Sequence, residues 1–246
     1  MNNDTCTSRD GCVGPGPPAT SRRRWLSNAG LACAGLLAVA PGVGAQAPEE
    51  DEVSPPEDLM REHGVLKRVM LVYEEVIRRI DGKVEVPPDA VRRGADIIRS
   101  FIEDYHEKLE EDHIFPRFEK AGRLTDLTRV LRAQHQAGRR LTDQITQLAT
   151  LEKLKDPRSA AMLKHALHQF IRMYGPHEAR EDTVLFPALR DVVSKQEFGA
   201  LGEEFEKKEH ALFGEGGFEK MVERVAAIEK TLGIYELDTF TPKLPG

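Results

Sequence analysis

The segment His106-Glu107-Lys108-Leu109-Glu110, followed at Phe115-Pro116 by an aromatic-proline pair, returns as His177-Glu178-Ala179-Arg180-Glu181 followed at the same distance by Phe186-Pro187. An isolated histidine precedes each copy: His63 recurs 72 residues on as His135, and His106 recurs 71 residues on as His177. Each half of the chain therefore reads His, then His-x-x-x-Glu. Packing alone gives apolar repeats. A repeat of imidazoles and carboxylates at fixed spacing has the layout of a metal site.

The periodicity between these residues is helical. Leu59, His63, Leu66, Met70, Tyr73 and Ile77 form one stripe, and Ile98, Ile102, His106 and Leu109 the next. Leu124, Leu127, Leu131, His135, Ile145 and Leu148 form a third, and Leu163, Leu167, Phe170, Tyr174, His177 and Glu181 a fourth. Breaks at Asp81-Gly82, Ala121-Gly122 and Asp156-Pro157 separate four helices joined by short loops. The expectation is an all-α protein: an up-down-up-down four-helix bundle over residues 58–192, followed by two further helices, about Lys195 to Phe213 and Gly217 to Leu232, capping it within residues 193–235, and a tail from 236 to 246. A composition of 40% hydrophobic and 31% charged residues leaves enough apolar side chain for such a core. Pro176, directly before His177, removes a backbone donor inside the fourth helix and is expected to kink it.

Residues four apart share a helix face, so His106 and Glu110 can approach one centre together, as can His177 and Glu181. His63 and His135 enter from the other two helices. One buried histidine is ordinarily a hydrogen-bonded core residue. Four imidazoles and two carboxylates buried together would each carry a desolvation cost of several kcal/mol that a divalent or trivalent ion offsets. Mixed imidazole and carboxylate ligation suits iron, with manganese behind it, better than structural zinc. Glu107 and Glu178 recur with the motif and are either extra ligands, acceptors for the imidazoles, or solvent-facing carboxylates. His113 has Val184 as its repeat counterpart and reads as a fifth donor or a helix-end polar residue; His165 and His168 read as structural or exposed, and His210 is open. Tyr73, Tyr105 and Tyr174 line the pocket or fill the core.

The ordered set His63, His106-x-x-x-Glu110, His135, His177-x-x-x-Glu181 resembles the hemerythrin-like (HHE cation-binding) family over roughly His63 to Pro187. That resemblance implies a four-helix bundle around a non-haem centre of two iron ions, with family members that bind oxygen, handle nitric oxide or peroxide, or sense iron and redox state. The oxygen-carrying hemerythrins use five histidines, with His-x-x-x-His on the third helix; here Arg139 stands four places after His135, which puts reversible oxygen carriage in doubt.

Ser21-Arg22-Arg23-Arg24-Trp25-Leu26, the apolar run Ala29 to Ala40 and Gly44-Ala45-Gln46-Ala47 have the basic, apolar and small-residue regions of a cleavable export signal within residues 1–47, and twelve apolar residues are too few to span a bilayer. The arginines resemble a twin-arginine signal, the alternative being an ordinary secretory one, so a periplasmic or secreted location is expected. Residues 48–57 read as an acidic, proline-bearing linker. Cys6, Cys12 and Cys33 all lie in the segment to be removed, which leaves no thiolate or disulfide chemistry. The formal net charge of -6 argues against nucleic acid as a partner. Two functions of different class are then open: a module that binds a small ligand such as oxygen or nitric oxide, or iron itself, and an oxidoreductase turning over peroxide, nitric oxide or oxygen. The absence of a recognisable second set of acid, base or substrate-binding residues favours the first.

Overall fold

A computed structural model describes residues 53–244, which are helical almost throughout and contain no strand among the described residues. The twin-arginine and cysteine-bearing segment lies outside the described residues.

Helix α1 (Pro55–Asp81) begins inside the stretch expected to be linker. The reason is local: Ser54 and Glu57 form a reciprocal capping box, Pro55 and Pro56 occupy the first turn where a missing N–H costs nothing, and Glu57 and Asp58 complement the helix dipole. Helix α2 runs over residues 88–121 from Pro88 to a left-handed Gly122 (φ 64°), the conformation that glycine adopts without a Cβ penalty. Helix α3 (Thr125–Leu148) and the single turn α4 (Leu151–Lys155) lead to helix α5 over residues 157–185, whose start is fixed by Asp156 accepting from the Ser159 N–H at 2.9 Å and by Pro157 in the first turn. The 3-10 turn Pro187–Asp191 ends it.

Within α2 and α5 the winding is not α-helical throughout. Glu110–Ile114 and Glu181–Leu185 are π turns, in which the Glu110 and Glu181 carbonyls accept from the amides five residues on, Phe115 and Phe186. Both end directly before the Phe-Pro pair. A proline cannot donate and its ring collides with the carbonyl four residues back, so widening the turn by one residue lets the chain restart with proline in a first turn. The repeated Phe-Pro thus sets the backbone at both motif glutamates.

Contacts run α1 to α2, α2 to α3, α3 to α5 and α5 back to α1, closing a ring of helices whose buried core includes Leu66, Tyr73, Ile102, Phe170 and Leu167. Helices α6 (Lys195–Phe213) and α7 (Gly217–Leu232) lie where the sequence periodicity places them, but they lie along α1 and α2 and do not cap an end. Phe213 packs edge-on against Phe101 and Tyr105, Phe205 against His113, and Arg68 and Arg79 of α1 reach Glu229 and the Leu232 carbonyl of α7. Their stripes, Phe198, Leu201 and Phe205 with Met221, Val225, Ile228 and Leu232, require a long apolar partner, which the outer faces of α1 and α2 supply. The α6 start depends on a capping box in which Ser194 Oγ accepts from the Glu197 N–H at 3.2 Å. Ser194→Ala is therefore expected to cost about 1 kcal/mol and lower the melting temperature by about 2–4 °C, read by thermal denaturation followed by circular dichroism.

Candidate metal centre

All six residues singled out by the repeat are buried, and they meet in the middle of the helix ring. Glu110, His135, His177 and Glu181 each offer one ligand atom within 4.8 Å of the others, and His63, His106 and Glu110 do the same. The two carboxylates stand between the histidine pairs. Glu181 lies 3.4 Å from His63 Nε2 and 3.1 Å from His177 Nε2; Glu110 lies 3.8 Å from His106 Nε2 and 3.4 Å from His135 Nε2. His135 and His177 approach to 3.3 Å through their Nε2 atoms, and the rings of His63 and His106 are 4.7 Å apart.

Every imidazole turns Nε2 to this centre because its Nδ1 is held from behind. His63 Nδ1 donates to Asp182 (2.7 Å), His106 to Glu62 (2.8 Å), His135 to Glu111 (3.1 Å) and His177 to Gln134 Oε1 (2.9 Å). Such acceptors fix the tautomer and make the other nitrogen a better donor. They obey the same two-fold as the motif. Each lone histidine is held by the residue after the motif glutamate of another helix, Asp182 or Glu111, and each motif histidine by the residue before a lone histidine, Glu62 or Gln134. The duplication extends to the stacking of Phe186 on His63 (5.6 Å) and of Phe115 on His135 (5.5 Å). These acceptors were absent from the sequence reading, although the 71- and 72-residue offsets continue through them.

Glu107 and Glu178 are buried, which removes the solvent-facing reading. Glu107 accepts from the Tyr174 hydroxyl at 2.7 Å and pairs with Arg139 at 2.8 Å; Arg139 also reaches Glu111 at 2.9 Å. Lys67 occupies the matching place beside Glu178 (3.7 Å) and Asp182 (3.9 Å). Arg139, the departure from the five-histidine pattern, is thus a counter-charge behind the centre. Gly138 makes the Tyr174 contact possible: a Cβ there would lie 1.9 Å from the tyrosine oxygen. His113 faces away, against Phe205 and 2.6 Å from Lys208 Nζ, inside α2 and not at its end, and His165, His168 and His210 are exposed. Tyr73 and Tyr105 pack in the core, against Phe170 and Phe101.

The donor set fits a cation. None of the four oxygens of Glu110 and Glu181 has a well-directed hydrogen bond, although both side chains are fully buried. Burial, and then the charge of Glu181 beside it, hold the Glu110 carboxyl well above its usual range, and burial pulls His135 down to about 4. Burial opposes a charge on His63 too, yet its hydrogen bond to Asp182 and the Glu181 carboxylate 3.4 Å away raise it to about 9. Two imidazoles of one dry centre are thus driven in opposite directions, and a carboxyl beside them is driven toward neutrality. A bound cation stabilises ionised carboxylates and neutral imidazoles together.

Such a centre, carried on a ring of helices, defines a class of cation-binding helical protein. Residues 54–161 match the hemerythrin HHE cation-binding domain, a stretch that carries His63, His106, Glu110 and His135; the second dyad lies beyond it. Proteins from two strains of Mycobacterium tuberculosis and one from Mycobacterium bovis, each described as an uncharacterized protein, are 50% identical to this chain over 237 residues, 92% of its length and 93% of theirs. No solved structure matches it. The matched stretch is thus a hemerythrin HHE cation-binding domain.

Proposed function

We propose that this protein is an exported, hemerythrin-like di-iron protein that binds a small ligand, oxygen, nitric oxide or peroxide, or holds iron itself, for sensing, storage or protection. The observation that supports it best is the position of Glu110 and Glu181, each between one histidine of either pair and each without a well-directed hydrogen bond. His63 and His106 would hold one ion, His135 and His177 the other, and the two carboxylates would bridge them in an up-down-up-down bundle. Iron, preferred to manganese by the mixed nitrogen and oxygen donors, would supply open positions for a small ligand and a change of oxidation state.

Around it, this chain's residues orient and insulate. Glu62, Asp182, Glu111 and Gln134 fix the imidazoles; Phe115, Phe186 and Leu109 exclude water; Arg139 and Lys67 balance the outer carboxylates. Glu107, committed to Tyr174 and Arg139, acts on the centre through its neighbours. Within this set no further acid or base is left over to activate an organic substrate, which favours binding over turnover. The basic and apolar segment before residue 47 supports export, by the twin-arginine route in this reading.

Metal analysis and the ultraviolet-visible spectrum of the protein from iron-replete cells test the proposal. About two irons per chain and oxo-bridge bands are expected. A single zinc, or no bound metal, would overturn it. His63→Ala should lower iron content strongly while His168→Ala, at an exposed position, leaves it unchanged; equal contents in the two variants would remove the ligand assignment.

A further inference from the structure

Among the four acceptors behind the imidazoles, the two-fold changes charge at one pair. Glu62, behind His106, is a fully buried carboxylate on α1, the side covered by α6 and α7. Its counterpart Gln134, behind His177, is a neutral amide, only partly buried, and lines a solvent-open cavity of about 540 Å³ between α3 and α5. The same cavity is lined by Arg140 and Arg172, with Gln144, Gln169 and Met173.

We propose that this cavity is a binding site for a small oxyanion, a carboxylate or an inorganic phosphate, that reports to the metal centre through Gln134 and His177. No acidic side chain lines it. Arg140 and Arg172 are exposed and have no carboxylate partner among the described residues, so their guanidinium groups are available for the forked recognition of oxyanions. The Gln134 oxygen is occupied by the His177 N–H, so what that amide still has to offer is its two N–H donors. A glutamate at 134, as at 62, would place an anion in the lining. Leu141, Ala137 and Met173 add apolar wall, which suits the hydrocarbon part of a carboxylate as readily as it tolerates phosphate. An anion accepting from the Gln134 amide would polarise it and strengthen its hold on His177 Nδ1, leaving the other ring nitrogen a stronger donor. The cavity itself does not depend on the di-iron reading; only its report does.

Isothermal titration of the full-length protein with inorganic phosphate, and separately with succinate, at constant ionic strength tests the site. Both the iron-loaded and the chelator-treated protein are titrated. One anion per chain is expected in both forms, weakened about tenfold or more by Arg140→Gln or Arg172→Gln and lost in Gln134→Glu, with thermal melts confirming that the variants fold. The phosphate and succinate arms distinguish the two oxyanion classes. In the iron-loaded protein the visible spectrum should shift as the anion binds. Absence of binding in both arms, binding indifferent to the arginines, or binding confined to the iron-loaded form and so to the metal itself, would overturn the proposal. Arginine-dependent binding by a protein that takes up no iron would leave the anion site standing and remove the di-iron reading instead.

Discussion

Glu110→Gln should reverse its effect on stability according to whether metal is present. In the iron-loaded protein the substitution removes a carboxylate that stands between His106 and His135, 3.8 and 3.4 Å from their Nε2 atoms, so iron content should fall well below the roughly two ions per chain expected of the native protein. The stabilisation that metal confers should fall with it. For an ion present at about a hundred times its dissociation constant that stabilisation is about 2.7 kcal/mol, equivalent to about 5–10 °C in melting temperature for a protein of this size. In the metal-free protein the same change removes a fully buried carboxyl that has no hydrogen-bond partner and that burial already drives toward neutrality. There the variant should melt at or above the native protein, since holding a carboxyl well above its usual range costs folding free energy at neutral pH that an amide avoids. Thermal melts with and without chelator measure both signs. A variant that is less stable in both states would make Glu110 a structural residue, and the assignment of the centre would fail.

Gly138→Ala should be the most destabilising single methyl addition in the ring of helices. The new Cβ would sit 1.9 Å from the Tyr174 oxygen, 2.8 Å from Cζ and 3.0 Å from Cε2, so the ring must leave its place. Tyr174 is enclosed by Phe170 at 4.4 Å and His177 at 5.4 Å, and its hydroxyl bond to Glu107 is lost when it moves. Overpacking of this kind, together with a buried carboxylate losing a donor, is expected to cost about 2–4 kcal/mol, or about 5–15 °C in melting temperature. Because the clash involves the hydroxyl, Tyr174→Phe should recover part of the loss in the double variant, so that the two changes are not additive. Additive losses would show that the glycine matters for some other reason. Iron content should change less than in Glu110→Gln, since Glu107 acts from behind the ligands.

The candidate site was largely legible in the sequence because its spacing is a helical property. Four residues make roughly one turn, so His106 with Glu110 and His177 with Glu181 had to share faces, and an apolar stripe through each lone histidine had to turn it inward. The start of α6 near Lys195 was legible and that of α1 was misread, although both carry the same local capping box, because two prolines suggested a linker and in fact occupy the first turn of α1. The π turns at Glu110 and Glu181 escaped because periodicity over a single turn does not distinguish four residues from five; the Phe-Pro pair that follows both was the available signal, which the further π stretch Ile98–His106 lacks.

What the chain by itself determined, then, is which residues face inward and at what spacing, since periodicity and capping act within one helix. Which of the buried carboxylates meets the imidazole Nε2 atoms, which meets Arg139 and Tyr174, and which closes behind a ring at Nδ1 was decided by the tertiary structure, as was the placement of α6 and α7 along α1 and α2. Glu107 and Glu110 are three residues apart on one helix and have similar burial; only the neighbouring helices give one a cationic partner and leave the other to the centre. The reason is range: a hydrogen bond or ion pair is set over about 3 Å between side chains far apart in the chain, and that distance exists only once the helices have packed.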